Sequence, residues 1–257
     1  MNREVFYPHY EKLLAQEYHF WRETETKPVW QWIQEERLTV CPAFKGGYYD
    51  DCKIRLMVVG RAVNGWEIPK ATECTSLEKA RAAVVGQEFS FDDIVNEEGI
   101  EQKDGSRYYY SRSRFWKLIR NILEECGEGE NFHKKIVWSN LYKVAPRVTG
   151  NPAWSLVKPQ METYIDLLLD EIRAYKPTHI LFVTGMDYIN PWENRACFGK
   201  ILGVGENDKF DGENYKVGFV EEAKVVVCGR PELKSDENIR KMAKDILEKF
   251  GIDHVEK

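Results

Sequence analysis

Three groups of polar residues stand directly behind short apolar runs. Arg61, Asn64 and Glu67 follow Leu56-Met57-Val58-Val59-Gly60, with Trp66 among them. Asn140 and Lys143 follow Ile136-Val137-Trp138-Ser139, and Arg230 and Glu232 follow Val225-Val226-Val227-Cys228-Gly229. An amide can read the edge of a pyrimidine or a similar ring, since it offers a donor pair and an acceptor. Guanidinium forks hold anions, and a carboxylate or amide can orient a water. In an open α/β sheet the ligand crevice lies outside the carboxyl ends of the strands, so the three loops are expected to share one site.

The elements that must position these loops follow from periodicity. Residues 8–37 read as helical, broken at Lys27-Pro28, and residues 1–40 form a helical N-terminal extension. A loop at 45–51 precedes a strand at 53–59, and the long stretch 62–111 carries one helix near 77–85. An amphipathic helix is predicted at 112–126, a strand at 135–141, a helix at 159–175 and a strand at 179–183. A short strand or hairpin near 215–220, a strand at 224–227 and a helix from Ser235 to Phe250 complete the chain. Strands alternating with helices imply parallel βαβ units: one α/β domain over residues 1–257, a three-layer sandwich around a four-stranded, mainly parallel central sheet.

The 257 residues are 43% hydrophobic, enough for a sizeable core. A net charge of −5 argues against a dedicated duplex binder, so any contact with nucleic acid must be local. With no long apolar run and no secretory layout at the N-terminus, the chain is read as cytoplasmic and without a membrane partner. The six cysteines lack metal-binding spacing and read as reduced, mostly buried thiols. No metal and no cofactor is expected, and the oligomeric state is left open.

The order of these motifs, VVGRAVNGWE at 58–67, IVWSNLYKVAP at 136–146, LLLDEIRAYKPTHILFVTG at 167–185 and VVVCGRPELKS at 225–235, resembles the uracil-DNA glycosylase superfamily over about 180 residues. The resemblance implies an N-glycosidic hydrolase acting on a base in nucleic acid. Asn140 then reads the base edge, and the first loop, through Asn64 or Glu67, serves the sugar and the water. Arg230 stands where the family has a histidine that stabilises the departing base. Gly60, Arg61, Trp66 and Lys143 complete the substrate site under the same resemblance.

Two loops depart from the family pattern. Arg61 occupies the place of a catalytic carboxylate, and a cation about 4 Å from an oxocarbenium would oppose it by roughly 4 kcal/mol, about a thousandfold in rate. Arg230 and Glu232 replace the His and Ser of an H-P-S sequence. The alternative reading is therefore a non-catalytic protein that binds a nucleotide or nucleic acid in the same crevice. Arg107, Tyr109, Arg112 and Arg114 lie in the one stretch that interleaves positive charge with aromatic rings, a candidate nucleic-acid contact set against plain packing. His133 and His179 are read as structural, and Asp170-Glu171 as exposed charges. A small-molecule hydrolase is disfavoured because no G-x-S-x-G elbow occurs.

Overall fold

The computed structural model describes residues 6–20, 23–63, 69–101, 107–147, 151–185, 188, 198–203 and 215–253. Six strands form the main sheet: β1 (Phe44–Lys45), β2 (Leu56–Gly60), β3 (Ile136–Asn140), β4 (His179–Phe182), β5 (Tyr215–Val220) and β6 (Ala223–Cys228). Their spatial order is β5-β6-β4-β2-β3-β1. The β6–β4, β4–β2 and β2–β3 pairs are parallel, whereas β5 and β1 pair antiparallel at the two edges. The sheet is thus six-stranded and mixed, where the sequence suggested four strands. The short strand expected near 215–220 is the antiparallel edge β5, whereas β1 escapes pattern reading because two residues carry no periodicity.

Each parallel strand is apolar on both faces, as burial between helical layers requires. Met57, Val59, Val137, Ile180, Phe182, Val225 and Val227 pack with one set of helices, α1 (Tyr7–Ala15), α2 (Val29–Gln34), α3 (Leu77–Val85) and α5 (Met161–Tyr175). Their sequence neighbours Leu56, Val58, Ile136, Trp138, Leu181 and Val226 face α4 (Arg114–Glu125) and α6 (Asp236–Phe250). Along α4, Leu118, Ile119, Ile122 and Leu123 recur at helical spacing and are buried, so the amphipathic pattern fixes which face meets the sheet. Ser76 and Ser235 cap α3 and α6 by accepting from Lys79 N and Asn238 N, each at 3.2 Å.

The N-terminal region differs from the helical expectation. Helix α1 ends at Ala15, and Glu17–His19 pairs antiparallel with Thr26–Pro28 before α2 begins. The Trp32 indole donates to Tyr18 O at 2.8 Å, and Phe20 packs edge-on against Trp32, so these aromatics fill a hairpin-and-helix core that mimics helical spacing. A second small sheet pairs Leu38–Val40 with Val144–Pro146, holding residue 41 against the chain that leaves β3. No helix among the described residues is long and apolar enough to cross a membrane.

The topology fixes the site. From β2 the chain passes to β3 on one side, and from β4 it passes to β6 on the other. Connections therefore diverge above the β2–β4 pair, where doubly wound sheets open a crevice at the carboxyl ends.

Candidate functional site

A cavity of about 400 Å³ lies at that point, within the range of small-ligand sites. Gly60, Asn140 and Val183 line its floor, and Arg61, Arg230 and Glu232 its mouth. Tyr108, Tyr110, Phe115, Trp116 and Trp138 supply an aromatic wall. Gly60, Asn140 and Arg230, distant in sequence, thus converge on one space.

Asn140 ends β3 directly opposite Gly60 in the parallel register. Its side chain is 2% exposed, and Nδ2 donates to Cys41 Sγ at 3.5 Å. Oδ1 has no hydrogen-bond partner among the described residues, although Asn140 lines the cavity. An acceptor left open in this position is costly unless something supplies a donor. A Cβ at residue 60 would lie 2.7 Å from that oxygen, which accounts for glycine at the strand end.

Arg61 spans the divergence point. Its Nε and Nη2 donate to Thr184 O at 3.3 and 3.0 Å, behind β4, and its guanidinium stacks 3.5 Å from the Tyr188 ring centroid. Burial lowers its pKa from the ordinary arginine value, and the like charge of Arg230 adds to the shift. The residue is therefore anchored sideways across two strand ends. Arg230 pairs with Glu232, both about two-fifths exposed, in a solvated pair that is energetically slight.

The aromatic wall is a chain of edge-to-face contacts. Trp116 meets Trp138 at 5.2 Å and Phe115 at 4.9 Å, and Tyr110 meets Tyr108 at 4.8 Å. Burial holds the Tyr110 phenol well above its usual pKa, so it remains a neutral hydroxyl. Such rings exclude water from one side of the cavity and offer faces for stacking.

Several expected site residues lie elsewhere. Lys143 is fully buried, and its Nζ donates to both Glu171 carboxylate oxygens at 2.7 Å and to Ser139 Oγ at 2.6 Å. It is a core ion pair away from the cavity rather than a substrate contact, and Glu171, 1% exposed, corrects the reading of an exposed charge. Arg107 donates to Glu98 O at 2.7 Å, and Arg112 lies 3.9 Å from the Tyr109 ring centroid. These three do not line the cavity. Arg114 does, paired with Asp236, which Lys117 also meets at 3.2 Å. Asn64, Trp66 and Glu67 lie outside the described residues.

Tyr108, Tyr110 and Cys41 were not singled out for the site in the sequence. The tyrosines sit in the basic aromatic stretch, but which of three consecutive rings turns inward depends on the short 3₁₀ turn Tyr110–Arg112. Leu233 also emerges only from the structure: it is fully exposed, with φ of +65°, in the loop carrying Arg230 and Glu232. No group of His, Cys, Asp or Glu among the described residues could hold a metal ion. No family model and no curated protein gives a significant match to this sequence.

Proposed function

We propose that this chain is a divergent uracil-DNA glycosylase-like protein whose crevice takes a flat heterocyclic base carrying an anionic sugar-phosphate. The observation that carries the reading is the meeting of Gly60, Asn140 and Arg230 around one cavity, with the Asn140 carbonyl lacking a donor among the described residues. The aromatic wall provides stacking area, and Arg61 and Arg230 place two cations at the mouth. The parallel strands run β3-β2-β4-β6 in space, and the three motif loops lie at their carboxyl ends, an arrangement in keeping with the resemblance.

Binding without base excision is the favoured form of this reading. Among the described residues Glu232 is the one carboxylate lining the cavity, and Arg230 holds it. Base excision needs an anion beside the sugar and a positioned water, and the carboxylate described at the cavity is already held by a cation. Hydrolysis is the second form. It is favoured by one contact: Arg61 is turned onto Thr184 and Tyr188, which lessens its opposition to a developing positive charge.

Purified protein incubated with single- and double-stranded oligonucleotides carrying uracil, hypoxanthine or xanthine separates the two. The expected outcome is measurable affinity, best for single strands, that falls at least tenfold in Arg230→Ala, with no alkali-labile sites produced. Strand scission above buffer would establish the hydrolase form. Affinity unchanged by Arg230→Ala would remove the ligand assignment altogether.

A further inference from the structure

The Asn140 carbonyl has no donor among the described residues, and Cys41 stands at the other end of the same amide. An asparagine amide can turn over and exchange its oxygen for its NH₂, two ends of nearly the same shape and opposite hydrogen-bonding sense. At Asn140 the two ends meet different surroundings. Nδ2 faces Cys41 Sγ at 3.5 Å, and Oδ1 sits over the Cα of Gly60 with no donor among the described residues.

Cys41 is itself constrained. It follows the small strand Leu38–Val40, its backbone N donates to Lys143 O at 2.9 Å, and its thiol donates to Pro42 O at 3.4 Å. The thiol proton is thereby directed away, leaving a sulfur lone pair for the Asn140 NH₂. Burial pushes the thiol pKa up to about 12, so the group remains protonated at any physiological pH. The backbone of Asn140 is fixed as well. Leu141 N donates to Gly60 O at 2.8 Å, and the preceding Ser139 donates to Glu171 at 2.7 Å.

We infer that Cys41 is a positioning residue that holds Asn140 with its carbonyl toward the cavity, so that the site selects bases presenting a ring N–H donor over bases presenting only acceptors. This deepens the proposed base-binding reading and rests on it. A buried acceptor that meets another acceptor leaves both unsatisfied, a strong basis for discrimination.

The test has one arm that needs no added molecule. In ¹⁵N-labelled full-length protein, the Asn140 side-chain NH₂ signals, identified by their loss in Asn140→Asp, should exchange slowly with solvent. Cys41→Ala should speed that exchange at least tenfold while the Leu141 backbone amide keeps its rate. Cys41→Ser, which retains a donor–acceptor atom, should return the exchange toward the wild-type rate. The second arm compares uridine 5′-monophosphate, which has a ring N–H, with the 2-pyrimidinone ribonucleoside 5′-monophosphate, whose corresponding ring nitrogen only accepts. Wild-type protein should prefer the first at least tenfold, and Cys41→Ala should weaken its binding and narrow the ratio. Unchanged side-chain exchange in Cys41→Ala, or an unchanged affinity ratio, overturns the inference. If wild-type protein binds neither nucleotide, the base-binding reading fails, and the exchange arm alone decides whether Cys41 orients the amide.

Discussion

Ser139 and Asn140 are consecutive, both buried and both polar, yet they serve opposite ends. Side chains alternate across a strand, so Ser139 enters the layer that holds Glu171 and Lys143, while Asn140 turns toward the crevice at the strand end. Behind Ser139 the polar groups close on one another: ammonium, hydroxyl and carboxylate meet within 2.7 Å. At Asn140 they do not close, since one end has a sulfur and the other has no donor among the described residues. Burial alone therefore does not mark a functional residue. What sets Asn140 apart is the combination of a carbonyl without a donor among the described residues and a place in the cavity lining.

The closed network should be the costlier to break. Lys143→Ala leaves the Glu171 charge buried without its partner and should destabilise the protein by about 3–5 kcal/mol in urea denaturation, whereas Lys143→Met combined with Glu171→Leu should recover most of that loss. A loss below about 1 kcal/mol in the single variant would place the pair in contact with water. Asn140→Ala should show the reverse profile. Stability should change by no more than about 1 kcal/mol, since only a weak contact to sulfur is lost, while oligonucleotide affinity drops tenfold or more. If stability and affinity fall together, the contrast between the two residues collapses.

Arg230→Ala probes the mouth of the cavity. Its effect on oligonucleotide affinity should be largest in low salt and shrink as the salt concentration rises, because the group is about two-fifths exposed and screened. A salt-independent loss would point to a packing role. The smallest expected effect is a change in pH dependence at His133, whose pKa burial lowers despite its 3.2 Å contact with Asp92. The unfolded chain takes up this proton first as pH falls through about 6.5, so stability should decline from there down to the lower folded-state value. His133→Gln should flatten that part of the curve, and an unaltered slope would assign the acid sensitivity to other groups.

Much of this arrangement can be read from residue types. The runs at 56–59, 136–138 and 225–227 are apolar on both faces, as parallel strands between helical layers must be, and their polar followers fall at one end of the sheet. Helix α3 over Leu77–Val85 and the Ser235 cap follow equally from local pattern. Lys143 and Glu171 are different. Charged residues are ordinarily solvated, and nothing local in Lys143 or in Asp170-Glu171 tells that two elements will bring opposite charges together in the core. The aromatic N-terminus misleads in the same way, since Tyr18, Phe20 and Trp32 meet through a hairpin whose contacts are tertiary. Cys41 becomes meaningful only once the pairing of Leu38–Val40 with Val144–Pro146 sets it beside Asn140.

A crystal structure of the protein with saturating uridine 5′-monophosphate tests the central claim most directly. The ring should lie against the wall formed by Tyr110, Trp116 and Trp138, with a donor within about 3.2 Å of Asn140 Oδ1 and the phosphate nearest Arg61 or Arg230. A nucleotide seated elsewhere, or a cavity that stays free of it, would contradict the account.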